Sequence, residues 1–268
     1  MATRSFQDDV IASNEKFTNP NEISLLCFRP EELPAHFAII VYGQRRTGKT
    51  TWLLWLMWLL RDRFDEVVVY SSTHHEGTFQ KHVDPKMCFS LFKENVMQAC
   101  INHQKARKLK GETMPRVLVV MDDVLDQMRD MRRSDALLQL FTQGRHFNIS
   151  IVVLSQHCKA LPPAFRKNVD AAILFRTFSH DMVKSYYDDY GGVMSRQTFF
   201  ALLNDATQNY QGLVVLPCCI SAKLQDYMML TCAPHKQPDF KMAQLKNNEV
   251  VVPYRSLPVW RKKISKKK

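Results

Sequence analysis

With 46% hydrophobic residues in a chain of 268, there is enough apolar side chain for one large core or two small ones, which excludes a disordered or fibrous protein. The formal net charge of +11 points toward polyanions, yet Arg261, Lys262, Lys263, Lys266, Lys267 and Lys268 crowd the last eight positions, so the body of the chain is only mildly basic. Seven cysteines, an odd number with no C-x-x-C spacing, speak against a disulfide-stapled secreted scaffold and for reduced, buried thiols rather than a zinc site built from His157/Cys158 or Cys232/His235.

The opening "MATRSFQDDV" lacks an apolar core, so no secretory signal is expected. Residues 1–34 are polar, with "NPNE", Pro30 and Pro34, and read as an N-terminal arm. Beyond them, apolar strand-like runs alternate with helical stretches. The strands are "FAIIVY" (37–42), "EVVVYSS" (66–72), "RVLVVMDD" (116–123), "ISIVVLSQ" (149–156) and "AAILFRT" (171–177); the helices are 49–62, 93–108, 134–145 and 179–190. The run from Trp52 to Leu60 is about half the length a bilayer demands, so no membrane span is expected. It reads as a helix apolar all round, covered by another helix or a neighbouring subunit. Strands that are apolar throughout and separated by helices predict an α/β fold, a mostly parallel sheet with helices on both faces. "GLVVLPC" and "YMMLTC" add edge strands at the C-terminal end, after a helical insertion at 178–209. One domain is expected over 35–258, followed by a basic tail at 259–268 that is either a solvated arm or a non-specific nucleic-acid contact.

The first strand runs into "GQRRTGKT", the spacing G-x-x-x-x-G-K-[ST] of a phosphate-binding loop between a strand and a helix. Successive backbone N–H groups of Gly43, Gln44, Arg45, Arg46, Thr47, Gly48, Lys49, Thr50 and Thr51 are expected to hold the nucleotide. Gly43 and Gly48 supply backbone freedom and close approach, Lys49 reaches the β/γ-phosphates, and the Thr50 hydroxyl is a ligand for Mg²⁺. These residues predict ATP and Mg²⁺ as cofactors.

Three further segments complete a hydrolytic site. "VLVVMDD" ends an apolar strand in Asp122, placed to hold Mg²⁺ through water, and in Asp123, placed to orient and deprotonate the attacking water. "ISIVVLSQH" ends another strand in Gln156, whose neutral amide reports on the water or the γ-phosphate. Both emerge at the carboxyl edge, where open α/β sheets bind ligands. Arg145, in "TQGRHFN" ahead of that strand, is poorly placed for its own loop if it sits at the opposite edge, but well placed to reach a neighbour's site in a ring.

The order of phosphate loop, strand-Asp-Asp and "GRHFNISIVVLSQ" resembles the FtsK/HerA superfamily of P-loop NTPases, and within it the genome-packaging ATPases of nucleocytoplasmic large DNA viruses and their poxvirus relatives. The resemblance spans about residues 35 to 177 and is most specific from Gly144 to Gln156. It implies that Lys49 and Thr50 bind phosphates and Mg²⁺, that Asp122 is the metal-associated acid, Gln156 the sensor and Arg145 a finger acting in trans. It further implies a homo-oligomeric ring that hydrolyses ATP to translocate double-stranded DNA into a capsid, with a capsid or portal component as partner. The place of work would be the host cytoplasm at the site of virus assembly, with or without retention in the virion. Asp123 stands where the superfamily commonly has Glu, a shorter reach for the base, and "QRRT" is bulkier than the usual loop interior.

The basic stretch 103–116, "HQKARKLKGETMPR", is either a channel-lining grip on DNA phosphates or an exposed loop, and Arg129 to Arg133 form a second candidate. Two other classes share the phosphate loop: a nucleoside or nucleotide kinase that uses the insertion as a lid, and a non-catalytic nucleotide switch.

Overall fold

The computed structural model describes residues 25–73, 76–124, 134–221, 223–234 and 238–243. Arg129 to Arg133, the basic tail and most of the N-terminal arm lie outside the described residues.

Among the described residues nine strands form one sheet: β1 (Leu26–Cys27), β2 (Ala38–Tyr42), β3 (Glu66–Ser71), β4 (Cys88–Phe89), β5 (Val117–Asp122), β6 (Ile149–Ser155), β7 (Ala171–Phe175), β8 (Gly212–Val215) and β9 (Met228–Thr231). Their order across the sheet is β1-β9-β8-β7-β2-β6-β5-β3-β4. The six strands from β7 to β4 run parallel, whereas β8 is antiparallel to β7 and β9 antiparallel to β8. Every residue of β2, β3, β5, β6 and β7 is buried, on both faces of the pleat, which is why these segments carry unbroken Val, Ile and Leu rather than an alternating pattern.

The helices are α1 (Lys49–Leu59), α2 (Glu94–Leu109), α3 (Asp135–Gln143), α4 (Pro163–Arg166), α5 (His180–Tyr190), α6 (Arg196–Ala206) and α7 (Leu224–Tyr227). Serines start three of them: Ser134, Ser179 and Ser195 each accept a hydrogen bond from a backbone N–H three residues on, satisfying one orphan donor of α3, α5 and α6. The apolar α1 is covered largely by its own chain. Trp52, Leu53, Leu56 and Met57 are fully buried, and the Trp52 indole N–H donates to Thr231 Oγ1 at 2.8 Å, pinning α1 to β9. The turn Pro30–Glu32 packs on the same helix.

The 178–209 insertion is α5 and α6. It is integral to the core, because Tyr186 and Tyr190 of α5 pack on Tyr42 at 5.8 and 6.1 Å between ring centroids. The sheet begins ahead of residue 35: Leu26 and Cys27, assigned from sequence to the arm, pair in parallel with Met229 and Leu230, and the Phe28 N–H donates to Leu230 O at 2.7 Å. A two-residue strand is too short to show periodicity, and it forms because β9 offers an open edge. The seven cysteines are free, but only Cys88, Cys100 and Cys158 are buried, whereas Cys27, Cys219 and Cys232 are half-buried and Cys218 is exposed because they sit in or beside the short strands at one edge of the sheet; among the described residues no group of three or more His, Cys, Asp or Glu could hold a metal. No helix among them is long and apolar enough to cross a membrane.

Candidate nucleotide site

The phosphate loop leaves the carboxyl end of β2, at the middle of the sheet, and its Gly43 N–H extends the ladder to Ser155 O of β6 at 3.2 Å. Gly43 and Gly48 are glycine for different reasons. Gly43 has no positive φ; a Cβ there would lie 2.6 Å from Thr47 Oγ1 and 2.7 Å from Phe175 Cβ, so the site demands absence of bulk, not backbone freedom. Gly48, at φ 99°, needs the left-handed conformation with which it starts α1. Inside the loop Arg46 also adopts a positive φ, 62°, and Thr47 Oγ1 donates to Gln44 O at 2.8 Å, closing the turn. Arg45 and Arg46 face solvent, Gln44 and Thr50 are half-buried, and Thr51 is exposed on the first turn of α1.

Lys49 is buried, and its ammonium donates to Gly43 O at 2.6 Å and Gln44 O at 2.8 Å, which folds the side chain over the loop. Burial lowers its pKa, and the negative charges of Asp123 and Asp122 oppose that shift. Those acids come from β5, two strands away. Asp122 is the last residue of β5, in register with Ser71 of β3 and Leu154 of β6. It is 5% exposed, and burial, then the charge of Asp123, push its carboxyl up to about 6; Lys49 and a hydrogen bond from Ser71 counteract, while Glu76 adds to the rise. The charge on this buried acid is one that a divalent cation would relieve, and Asp122 with the Thr50 hydroxyl are the groups that would hold Mg²⁺ alongside a bound nucleotide.

Asp123 turns the chain sharply at φ 49°. Its two carboxylate oxygens accept from the same Gln156 Nε2, at 2.8 and 2.7 Å. The amide of β6 therefore holds the second acid of β5 beside the loop of β2, and Lys49, Asp122, Asp123 and Gln156 form one constellation at the carboxyl edge. Ser71 and Glu76, from the end of β3 and the turn after it, belong to its rim. In the sequence they are a serine in "YSST" and a lone glutamate; only the neighbouring register of β3 and β5 brings them in.

Arg145 stands apart from this group. It is exposed in the turn Gly144–Phe147, ahead of the amino end of β6, and β6 is parallel to β2, so it occupies the edge opposite the phosphate loop. Its charge reaches Asp170, whose carboxylate accepts the Ala38 N–H at 2.7 Å where β2 starts. Gly144 is fixed by space: a Cβ would meet Ile149 O at 2.8 Å. The basic stretch 103–116 lies at the same edge. Lys108 donates to His146 O at 3.4 Å, Lys105 sits over the Phe147 ring, and Arg116 forms an ion pair with Asp65 at 2.9 Å.

The chain resembles other proteins in sequence and, in its fold, solved structures. The protein is similar to the uncharacterized protein 075L of Invertebrate iridescent virus 6, 27% identical over 179 residues, 66% of this chain and 69% of that one. It is also similar to the uncharacterized protein L437 of Acanthamoeba polyphaga mimivirus, 23% identical over 239 residues, 85% and 84% of the two chains. Among solved structures, B204, the DNA-packaging ATPase from Sulfolobus turreted icosahedral virus, superposes with a TM-score of 0.55 at 14% identity, over 75% of this chain and 99% of that one, and so shares its fold. The family model described as Poxvirus A32 protein matches residues 27–216, from β1 through the acids and Gln156 to the end of β8, and the chain belongs to that family.

Proposed function

We propose that this protein is an ATP-hydrolysing motor that drives viral double-stranded DNA into a capsid, acting as a homo-oligomeric ring. The observation that carries the hydrolytic part is the Gln156–Asp123 contact beside Lys49 and Asp122. A phosphate loop alone binds nucleotide, whereas a carboxylate held by a neutral amide at the γ-phosphate end positions a water for in-line attack. ATP with Mg²⁺ supplies the scissile phosphoanhydride and the charge neutralisation. With ATP bound, Lys49 would exchange its two loop carbonyls for phosphate oxygens, Thr50 and Asp122 would hold the cation, Asp123 would orient the water and take its proton, and Gln156 would link that acid to the state of the γ-phosphate.

Arg145, at the far edge and exposed, is available to the neighbouring subunit, where it stabilises transition-state charge in trans. The basic stretch at that edge is suited to DNA phosphates. The motor works in the host cytoplasm at the site of assembly and docks on a capsid or portal component. Membership of the poxvirus family and the fold shared with B204 support this reading. Phosphate release measured with duplex DNA and, separately, with small phosphate acceptors tests it. Stimulation by DNA is the expected result; stimulation only by an acceptor would make the protein a kinase, and no turnover under either condition would make it a switch.

A further inference from the structure

The phosphate loop has two flanks. Toward β6 and β5 lie the acids and the amide, which fix the γ-phosphate end of the nucleotide. A nucleotide laid on the loop with its γ-phosphate on that side must extend its α-phosphate past Gly48 and Thr51, toward β7, β8 and β9. The backbone provides a cleft there, of about 280 Å³, lined by Arg46, Gly48, Thr51, Tyr210 and Ala233. Its walls come from the same edge of the sheet. Gly212 of β8 pairs with Phe175 of β7 and with Thr231 of β9, so Tyr210, two residues before β8, and Ala233, two after β9, both lie at the carboxyl edge next to the loop.

Tyr210 is held there by an uncommon backbone. Asn209 and Tyr210 both have positive φ, 51° and 62°, a conformation that is strained for a residue with a side chain. That turn carries the Tyr210 side chain over the phosphate loop: a Cβ placed on Gly48 would lie 3.7 Å from the Tyr210 ring. The residue nonetheless stays 60% exposed, so the ring borders the cleft with surface to spare instead of filling the core. A flat aromatic face at the α-phosphate end of a phosphate loop matches the chemistry of a nucleobase.

We infer that the cleft between Tyr210, Arg46, Thr51 and Ala233 is the base-and-ribose subsite, and that Tyr210 is the stacking platform for the purine. This rests on the proposed ATP binding and gives the bound nucleotide its direction, base toward β9 and γ-phosphate toward β5. It also gives a task to the connection from α6 to β8, which presents the tyrosine.

The test compares ATP with inorganic triphosphate, which has the phosphates but no base. Equilibrium binding to the full chain is measured by calorimetry for wild type, Tyr210→Leu, Tyr210→Gly and Tyr210→Phe, with Lys49→Ala alongside. Glycine suits the positive φ and keeps the fold in reach if leucine disturbs it. The expected result is ATP affinity about tenfold weaker for the Leu and Gly variants, as for loss of one stacked base. Triphosphate affinity should change less than about twofold, and the Phe variant should match wild type. Undiminished ATP binding by both the Leu and Gly variants would overturn the assignment, as would equal losses for ATP and triphosphate. Lys49→Ala separates the two readings: ATP binding retained by that variant would remove the loop assignment, and the subsite with it. A failure of the Tyr210 variants alone leaves the loop intact.

Discussion

The two flanks of the phosphate loop are built on different plans. On one side, β6, β5 and β3 are parallel, and each delivers a polar residue from its carboxyl end: Gln156, Asp122 with Asp123, and Ser71. On the other, β8 and β9 are four-residue strands of alternating direction, and what this side brings to the edge is shape: Phe175 from the end of β7 behind the loop, Tyr210 ahead of β8 over Gly48, and Ala233 after β9 beside it. Bond-breaking chemistry depends on donor and acceptor atoms placed to a fraction of an ångström, which parallel strand ends provide through a fixed ladder. Holding a base needs a flat apolar wall, which loops joining antiparallel strands can supply.

Lys49→Ala strikes the point both flanks share and has the largest expected effect. It removes a buried ammonium from the phosphates, at about 1.5–3 kcal/mol per charged hydrogen bond, so ATP affinity should fall about a hundredfold and turnover to background, read by calorimetry and phosphate release. Arg145→Ala tests the opposite edge. Turnover should drop by about three orders of magnitude with ATP affinity unchanged, and mixing this variant with Lys49→Ala subunits should restore part of the activity. A mixed ring with no recovery would count against action in trans.

Gln156→Ala is confined to the chemical flank. With the amide gone, Asp123 loses its orienting partner, and turnover should fall about a hundredfold with ATP affinity within about twofold. Full activity in that variant would show that Asp123 needs no positioning. Gly43→Ala probes where the flanks meet, because its new methyl collides with Thr47 on one side and Phe175 on the other. We expect a loss of about 1–3 kcal/mol, a melting temperature lower by roughly 3–10 °C, and weaker ATP binding. An unchanged melting temperature would show that the loop shifts freely.

The legibility of the molecule follows the same division. The five long strands and the helices α1, α2, α3 and α5 were readable because each is a continuous apolar run or a long stretch free of Gly and Pro between two strands. The phosphate loop was readable because its function needs particular residues at consecutive positions. β1 and β4, two residues each, carry no period to detect. Gly43 shows a subtler gap: its identity was expected from the motif, but the reason is contact with Phe175, more than a hundred residues away. Tyr210 bore no sequence signal, since "QNYQG" is an ordinary turn until it is placed beside Gly48.

By itself, then, the sequence determined the chemistry that is local along the chain: an anion cradle made by backbone groups in series, acids and an amide at the ends of apolar strands, and an arginine ahead of one of them. Only the tertiary structure decided who meets whom. Apolar parallel strands carry little in their own residues to select a neighbour, so the order that sets β6 between β2 and β5 is chosen by the packing of the whole sheet. That order joins Gln156 to Asp123, the pairing of β7, β8 and β9 sets Tyr210 beside the loop, and the parallel run of β6 along β2 keeps Arg145 at the far edge.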